Sequence, residues 1–384
     1  MPEDAMPEND RTFENDRTFE NDRTFENDRA TSRALVTTAH GGPEVMQIHH
    51  RPIAEPGPGQ IRVRIHAAAF NHLDLWVRRG IPANHWPVPL VPCADGAGVI
   101  DALGPGVADA ASSRGCQHIR PGGEVVLFPV VAPAYDEQSL RGAPQLARGF
   151  GMLGENTDGC ARDHVIIDAS GVFPKPPTIS FQQAAALPTT FITAWHMLKS
   201  RAALQPGETV LIHGGRSGVG SAGVQLARVL GGRTIVTVRR PEDEAIARQL
   251  GADHVVRNDD PTWPKQVKSL TPGGVDVVFE HIGGATWDGS IRCLRRGGRL
   301  VTCGATAGHE VTLNLRKVFF HSISILGSTM GSKADLLDVL RLANQGRVAA
   351  HIGAVLPLED GAEALQMLDR REVFGKVVLD VIGS

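Results

Sequence analysis

The residues of this chain most able to do chemistry lie in one short loop. Gly214–Gly220 reads GGRSGVG; an apolar run, Thr209–His213 (TVLIH), precedes it, and Ser221–Leu230 (SAGVQLARVL), with helical apolar spacing, follows. Between strand and helix, Gly215, Gly218 and Gly220 allow a tight turn and bring backbone N–H groups close to a pyrophosphate. A helix beginning near Ser217–Val219 turns its positive end toward the same anion. The middle position of the glycine pattern is a serine, Ser217. A bound dinucleotide is the expected ligand; the bland alternative is an ordinary turn in a sheet that binds nothing.

The second strand, Thr234–Val238, bears on which dinucleotide. An NAD site places an acid at its end, to accept from the ribose 2′-OH. Here the strand runs into Arg239 and Arg240. Two guanidiniums suit a 2′-phosphate through charge-assisted, bidentate hydrogen bonds, so NADP(H) is the expected cofactor. The alternative is a solvated turn and an enzyme that takes either cofactor.

The elements around this loop fall into two patterns. From 34 to about 180 the chain has short strands (34–39, 45–49, 60–69) separated by turn-rich breaks such as Pro52–Gly59, as in an all-β, barrel-like unit. From about 180 strands and helices alternate: strands 209–213, 234–238, 254–256, 275–280, 299–303 and 322–326 with helices or turns between them. That alternation predicts a doubly wound parallel sheet. The tail adds helices at 333–344 and 358–369 and a strand at 376–381. Residues 1–33 form a separate object, with NDRTFE repeated at 9–14, 15–20 and 21–26. One phenylalanine per repeat buries too little surface to offset chain entropy, so disorder is expected there.

The net charge of the 384-residue chain is −3, too weak for a strongly basic nucleic-acid surface. No apolar run reaches the roughly 18 residues of a membrane span. No charged and apolar leader opens the sequence, and five scattered cysteines suggest reduced thiols. A cytoplasmic protein acting on a small molecule, without nucleic acid or membrane, is expected.

In this order of parts the chain from about 34 onward resembles the medium-chain dehydrogenase/reductase superfamily, and within it the zinc-free quinone oxidoreductase branch, near zinc-type alcohol dehydrogenase-like proteins. The resemblance is carried by PGPGQIRVRIHAAAFNHLDLWVRRG (56–80), DGAGVI (95–100), AAALPTTFITAWHML (184–198), the glycine-loop segment (208–227), LGADHV (250–255), GVDVVFEHIGG (274–284), GGRLVTCG (297–304) and FGKVVL (374–379). It implies an α/β chain of two domains: a GroES-like β-barrel catalytic domain (34–185 and 335–384) and a Rossmann cofactor domain (186–334). It also implies a homodimer or homotetramer that extends the nucleotide-domain sheet, with Phe319–Leu326 as the pairing strand.

The resemblance assigns further roles. His72 faces the cofactor phosphates, Thr193 contacts the nicotinamide, and Val219 and Gly304 join the cofactor loop. Asn71 and Asp74 match an Asn-x-x-Asp near the nicotinamide, where Asn71 would hydrogen-bond a carbonyl acceptor and Asp74 would hold the loop. The positions of the family's catalytic zinc ligands read Asn71, Ala94 and Thr189, with Asp95 the one carboxylate, and the proton-relay position is Leu73. No zinc site is expected from that set. The stretch 128–155 lacks the four cysteines of a structural zinc lobe. Cys116 with His118, and His49 with His50, are weak as ligand pairs, and Cys93, Cys160, Cys293 and Cys303 read as packing thiols before nucleophiles. Tyr135 is either a proton donor or a surface tyrosine, and His281 either a nicotinamide neighbour or a packing residue.

Without zinc, hydride transfer to an activated acceptor remains feasible, because conjugation in a quinone or an α,β-unsaturated carbonyl spreads the negative charge. An NADPH-dependent, zinc-independent reductase of such acceptors is the preferred reading. A zinc-free alcohol dehydrogenase or ketone reductase stands beside it, and an NADPH-binding protein with little turnover is the alternative of another class.

Overall fold

The computed structural model describes residues 31–81 and 86–383. Six parallel strands form one sheet in the order His254–Arg257, Arg233–Val238, Thr209–Ile212, Val275–Glu280, Leu294–Thr302, Ser324–Gly327. Sequential strands run outward from Thr209–Ile212 on one side, and the chain then crosses to Val275–Glu280 on the other. The order reverses between those two central strands, so the ends of both face one crevice, where open parallel sheets bind ligands. All but one of the residues of Val275–Glu280 are buried, as expected of a strand covered on both faces.

A second, mainly antiparallel sheet is built from both ends of the chain. Its path is Ile352–Pro357, Lys376–Asp380, Gln60–Ala69, Asp95–Leu103, Glu124–Leu127, Val172–Pro174, and His164–Asp168 also pairs with Gln60–Ala69. Ala69 lies opposite both Val378 and Asp95. That register decides the site: carried two residues further, it brings Lys376 level with Asn71, one strand away from Asp95. One apolar core runs through both sheets, from Phe128 and Ala67 in the barrel, across Phe191 and Ile192, to Ile212 and Phe279 in the parallel sheet.

Two sequence expectations need correction. The strand Thr31–Thr37 begins inside the segment 1–33 read as disordered, and Arg33 holds it through Asp163 (2.8 Å) and Glu359. The repeats themselves lie outside the described residues. Phe319–Leu326 is not one strand: Asn314 caps a helix, Leu315–His321, Ser322 leaves it with a φ of +51°, and only Ser324–Gly327 pairs at the sheet edge. The glycine-loop helix begins at Gly218, where the sequence places its start near Ser217–Val219, and the Ser217 hydroxyl accepts from Gly220 N–H (2.9 Å) and caps it. That capping role is a physical reason for serine at the loop's middle position.

Candidate active site

The glycine loop is shaped by what its glycines cannot carry. A Cβ on Gly220 would stand 2.2 Å from the Gly214 carbonyl oxygen, and one on Gly215 2.4 Å from a Val236 methyl. Gly214 has a φ of +60°, in the left-handed region. The result is a tight strand-to-helix turn whose free N–H groups sit at a helix N-terminus. Val219, in its first turn, is half-buried. A further glycine that sequence reading passed over, Gly223, lies against the Phe279 ring and lets the helix approach the sheet, where an added Cβ would be 3.2 Å from the ring.

His281 packs beneath the loop. Its Nε2 bonds the His213 carbonyl at 2.8 Å, and burial lowers its pKa. That is the packing role, and it supports the turn. Next to it, Glu280 is fully buried and accepts from the N–H groups of His281, Ile282 and Gly283 and from the hydroxyls of Thr286 and Ser290. Gly304, half-buried, lies over the His281 carbonyl.

Arg239 and Arg240 leave the second strand exposed to solvent; the Arg240 Nε stands 4.0 Å from Glu242. Asp243, a buried acid of the helix that follows, is taken by Arg216 of the glycine loop. Arg216 also donates to the carbonyls of Arg371 (3.0 Å) and Glu372 (2.8 Å), and its own carbonyl accepts from Gly375 N–H, so the loop is tied to the segment that leads into the strand Lys376–Asp380. Neither Arg216 nor this tie was singled out in the sequence.

On the barrel side Asn71 lies two residues past the strand Gln60–Ala69 and is the N-cap of the helix His72–Arg79. Asp74 accepts from the backbone N–H of Asn71 (2.7 Å) and of Cys93 (2.8 Å), which fixes both loops. Burial holds its carboxyl up at about 6 despite those donors. His72 is half-buried, and its imidazole is pushed down to about 4, first by burial and then by His281, Arg371 and Lys376. Thr193 is buried on the helix Pro188–Trp195, its hydroxyl 3.6 Å from the Met330 sulfur.

At the positions that the resemblance matches to the family's catalytic zinc ligands, and beside them, four side chains meet. The Asn71 amide donates to Asp95 Oδ2 at 2.9 Å. Thr189 donates to Asp95 Oδ1 twice, from its hydroxyl (2.6 Å) and from its backbone N–H (2.9 Å), a donor left free in the first turn of a helix. Lys376 completes the set: its Nζ donates to Asn71 Oδ1 at 2.6 Å and to Asp95 Oδ2 at 3.0 Å. Asp95 is fully buried and the Lys376 side chain is 4% exposed. Ala94 is buried beside them and offers no ligand atom. These donors do not fit zinc, which takes nitrogen and sulfur ligands in a tetrahedron. No cluster of three or more His, Cys, Asp or Glu side chains able to hold a metal occurs among the described residues.

The other candidates stay apart from this centre. Tyr135 is 92% exposed. His49 and His50 are exposed. All five cysteines are free, and burial raises the thiols of Cys293 (about 11) and Cys303 (about 12) out of the nucleophilic range. An open cavity of about 1040 Å³ is lined by Phe128, Val130, Leu153 and Lys333 among others, but not by Asn71, Asp95 or the glycine loop.

Two family descriptions match: an alcohol dehydrogenase GroES-like domain over residues 57–177 and a zinc-binding dehydrogenase over residues 218–345. A quinone oxidoreductase of Pseudomonas aeruginosa is 30% identical, the match covering 89% of this chain and 97% of that protein. This chain belongs to the medium-chain dehydrogenase/reductase superfamily. It is an oxidoreductase of that family, with a GroES-like domain beside a Rossmann-like one. A solved NAD-dependent alcohol dehydrogenase is similar at 42% identity and a TM-score of 0.86, over 91% of this chain and 99% of the other. The synaptic vesicle membrane protein VAT-1 homolog of Homo sapiens is 28% identical over 90% of this chain and 86% of its own length. No helix among the described residues is long and apolar enough to cross a membrane.

Proposed function

We propose that this dehydrogenase is an NADPH-dependent, zinc-independent reductase of quinones or α,β-unsaturated carbonyls. One observation carries the reading: the positions matching the family's zinc ligands read Asn71, Ala94 and Thr189, and Asn71 and Thr189 both donate to the neighbouring Asp95, which also pairs with Lys376, with no nitrogen or sulfur ligand set among them. An acceptor activated by its own conjugation needs no Lewis acid to take a hydride.

The bound cofactor supplies that hydride. Gly215, Ser217, Gly218, Val219 and Gly220 would hold its pyrophosphate at the helix N-terminus, with His72 on the other side of the anion. Arg239 and Arg240, exposed and without an acid in their place at the strand end, would take the 2′-phosphate. Thr193 and Gly304 would bound the nicotinamide pocket. Asn71 would orient the acceptor, and Asp74 would keep Asn71 in place through its backbone N–H. The runner-up, a zinc-free ketone reductase, uses the same residues on a less activated carbonyl.

Stopped-flow oxidation of NADPH against a panel of quinones, enones and simple ketones tests this reading. Turnover with quinones or enones and none with ketones is expected; turnover confined to ketones would favour the runner-up. The free thiols fit action in the cytoplasm. We also propose that a second copy of the chain pairs at the edge strand Ser324–Gly327, where Phe319, Phe320 and Ile325 are exposed. An Ile325→Lys variant should sediment as a monomer beside a dimeric wild type; a monomeric wild type would remove the proposal.

A further inference from the structure

The open cavity on the barrel has no task in the functional reading. Its volume of about 1040 Å³ stands at the upper end of the roughly 300–1,000 Å³ of small-molecule sites, which leaves room for a length of peptide. It lies between the strand His164–Asp168 and the stretch 131–144, and Ile53, Phe128, Val131 and Leu153 give it an apolar wall.

The charge of that wall is one-sided. Arg51 (3.0 Å) and Arg162 (3.5 Å) share a single carboxylate, Asp158. The Arg162 Nε is shut off from solvent and has no partner among the described residues, and the same holds for the Ser139 hydroxyl on the same wall. A buried donor of this kind is costly unless a ligand supplies its acceptor. Lys333 reaches over the Phe128 ring, 6.0 Å from its centre, and donates to the Ser170 carbonyl (2.7 Å) and hydroxyl (3.2 Å) rather than to an acid. Arg62, by contrast, is held by Glu55 and Asp101. The remaining acid of the wall, Asp168, accepts from the Ser170 N–H at 2.7 Å. Arg51, Arg162 and Lys333 thus outnumber Asp158 and Asp168. An apolar group that carries a carboxylate suits such a wall.

This chain carries that chemistry in its own first residues. Each NDRTFE copy places a glutamate directly after its phenylalanine: Phe13-Glu14, Phe19-Glu20 and Phe25-Glu26. Residues 1–30 hold ten acids and four arginines, a net charge of −6. The described chain starts at Thr31, and Ser32 and Ala34 are themselves part of the cavity wall. Arg33 fixes that entry through Asp163 at 2.8 Å. The six residues from Phe25 to Thr31 can span up to about 20 Å, and each earlier repeat adds as much again. A tether this short gives an effective concentration on the order of millimolar, so a weak contact is enough. A repeat too polar to build a core of its own needs only one phenylalanine taken out of water.

We propose that the cavity is the seat of the chain's own N-terminal arm. The phenylalanine of one repeat enters between Ile53, Val131 and Leu153, and the glutamate that follows it bonds to Arg51 and Arg162. Three copies offer three chances to fill one seat. Asn71, Asp95 and the glycine loop do not line the cavity, so a seated arm leaves the cofactor crevice open.

Photocross-linking of the full chain tests this. p-Benzoylphenylalanine replaces Phe25 in one protein, Phe19 in a second and Phe13 in a third, and the adducts formed on irradiation are mapped by mass spectrometry. They should fall on residues 51–54, 128–134 and 153–158. In an equal mixture of isotopically light and heavy chains they should join light to light and heavy to heavy. Glu26→Arg should lower the Phe25 adduct yield at least about threefold, and Arg51→Glu added to it should bring back most of that loss by restoring an opposite-charge pair. Adducts absent from those three segments would overturn the proposal. So would adducts that join only light to heavy chains, which would assign the seat to the arm of a second copy, and so would a yield that Glu26→Arg leaves unmoved. If circular dichroism shows the double variant unfolded, the Glu26→Arg result decides alone.

Discussion

The glycine loop and the polar cluster face the same crevice, yet they are made in opposite ways. Within seven consecutive residues, Gly214–Gly220, the loop obtains its shape from what is missing: no Cβ at Gly215 or Gly220, a left-handed Gly214, and one serine that caps the helix. The cluster is made of side chains, and its four members come from positions 71, 95, 189 and 376, joined by strand register and a helix start. A local backbone device tolerates almost no substitution at its own positions. A dispersed side-chain network fails according to which partner is left uncompensated.

That contrast can be broken first at the loop. Gly220→Ala forces a methyl to within 2.2 Å of a backbone oxygen, which cannot turn aside as a side chain would. Fluorescence titration should find dinucleotide affinity lowered by about a hundredfold or more, since the N–H groups lose their common direction. Wild-type affinity in that variant would show that the turn is not the binding device.

The cluster should respond asymmetrically. Asp95→Leu leaves the Lys376 ammonium buried without a carboxylate and should cost about 3 kcal/mol in chemical denaturation. Lys376→Met leaves Asp95 with its Thr189 and Asn71 donors and should cost clearly less. The double variant should recover part of the Asp95→Leu loss, because an apolar pair can replace a buried ion pair of similar volume. Equal losses in the two single variants would mean that the pair is not the organising interaction.

At the outer edge of the cofactor site the effect should be smaller and selective. Replacing Arg239 and Arg240 together by alanine should weaken NADPH about tenfold or more relative to NADH, by removing charge-assisted bonds to the 2′-phosphate. An unchanged ratio would return both arginines to the role of a solvated turn and leave the choice of dinucleotide to Arg216 and Asp243.

The same contrast explains how much of the molecule could be read from its sequence. Contiguous signals were legible. The apolar run Val275–Glu280 and the periodic Lys333–Asn344 are a strand and a helix with the expected bounds, and strand–GGRSGVG–helix announced the loop. Phe319–Leu326 misled because FFHSISIL has strand composition throughout, whereas Asn314 and a left-handed Ser322 set helix boundaries that composition does not carry. Asn71, Ala94 and Thr189 were legible as departures from a zinc set and Asp95 as the carboxylate that is kept, but not Asn71, Asp95 and Thr189 as partners. Lys376 was missed for a physical reason: a lysine in FGKVVL reads as an edge residue of a terminal strand, and only its register with Asn71, 305 positions away in the chain, buries it in the crevice. The one sequence signal available was a lone cation at the head of an otherwise apolar strand.

The central claim is that hydride transfer here runs without a metal, beside Asn71 and Thr189 bonded to Asp95. Its most direct test is the metal content of the purified, active protein after exhaustive chelation, measured by mass spectrometry on the same sample whose NADPH-dependent quinone reduction is assayed. The account predicts far less than one metal ion per chain with turnover undiminished. A zinc ion retained in every chain, or a loss of turnover on chelation that zinc restores, would contradict it.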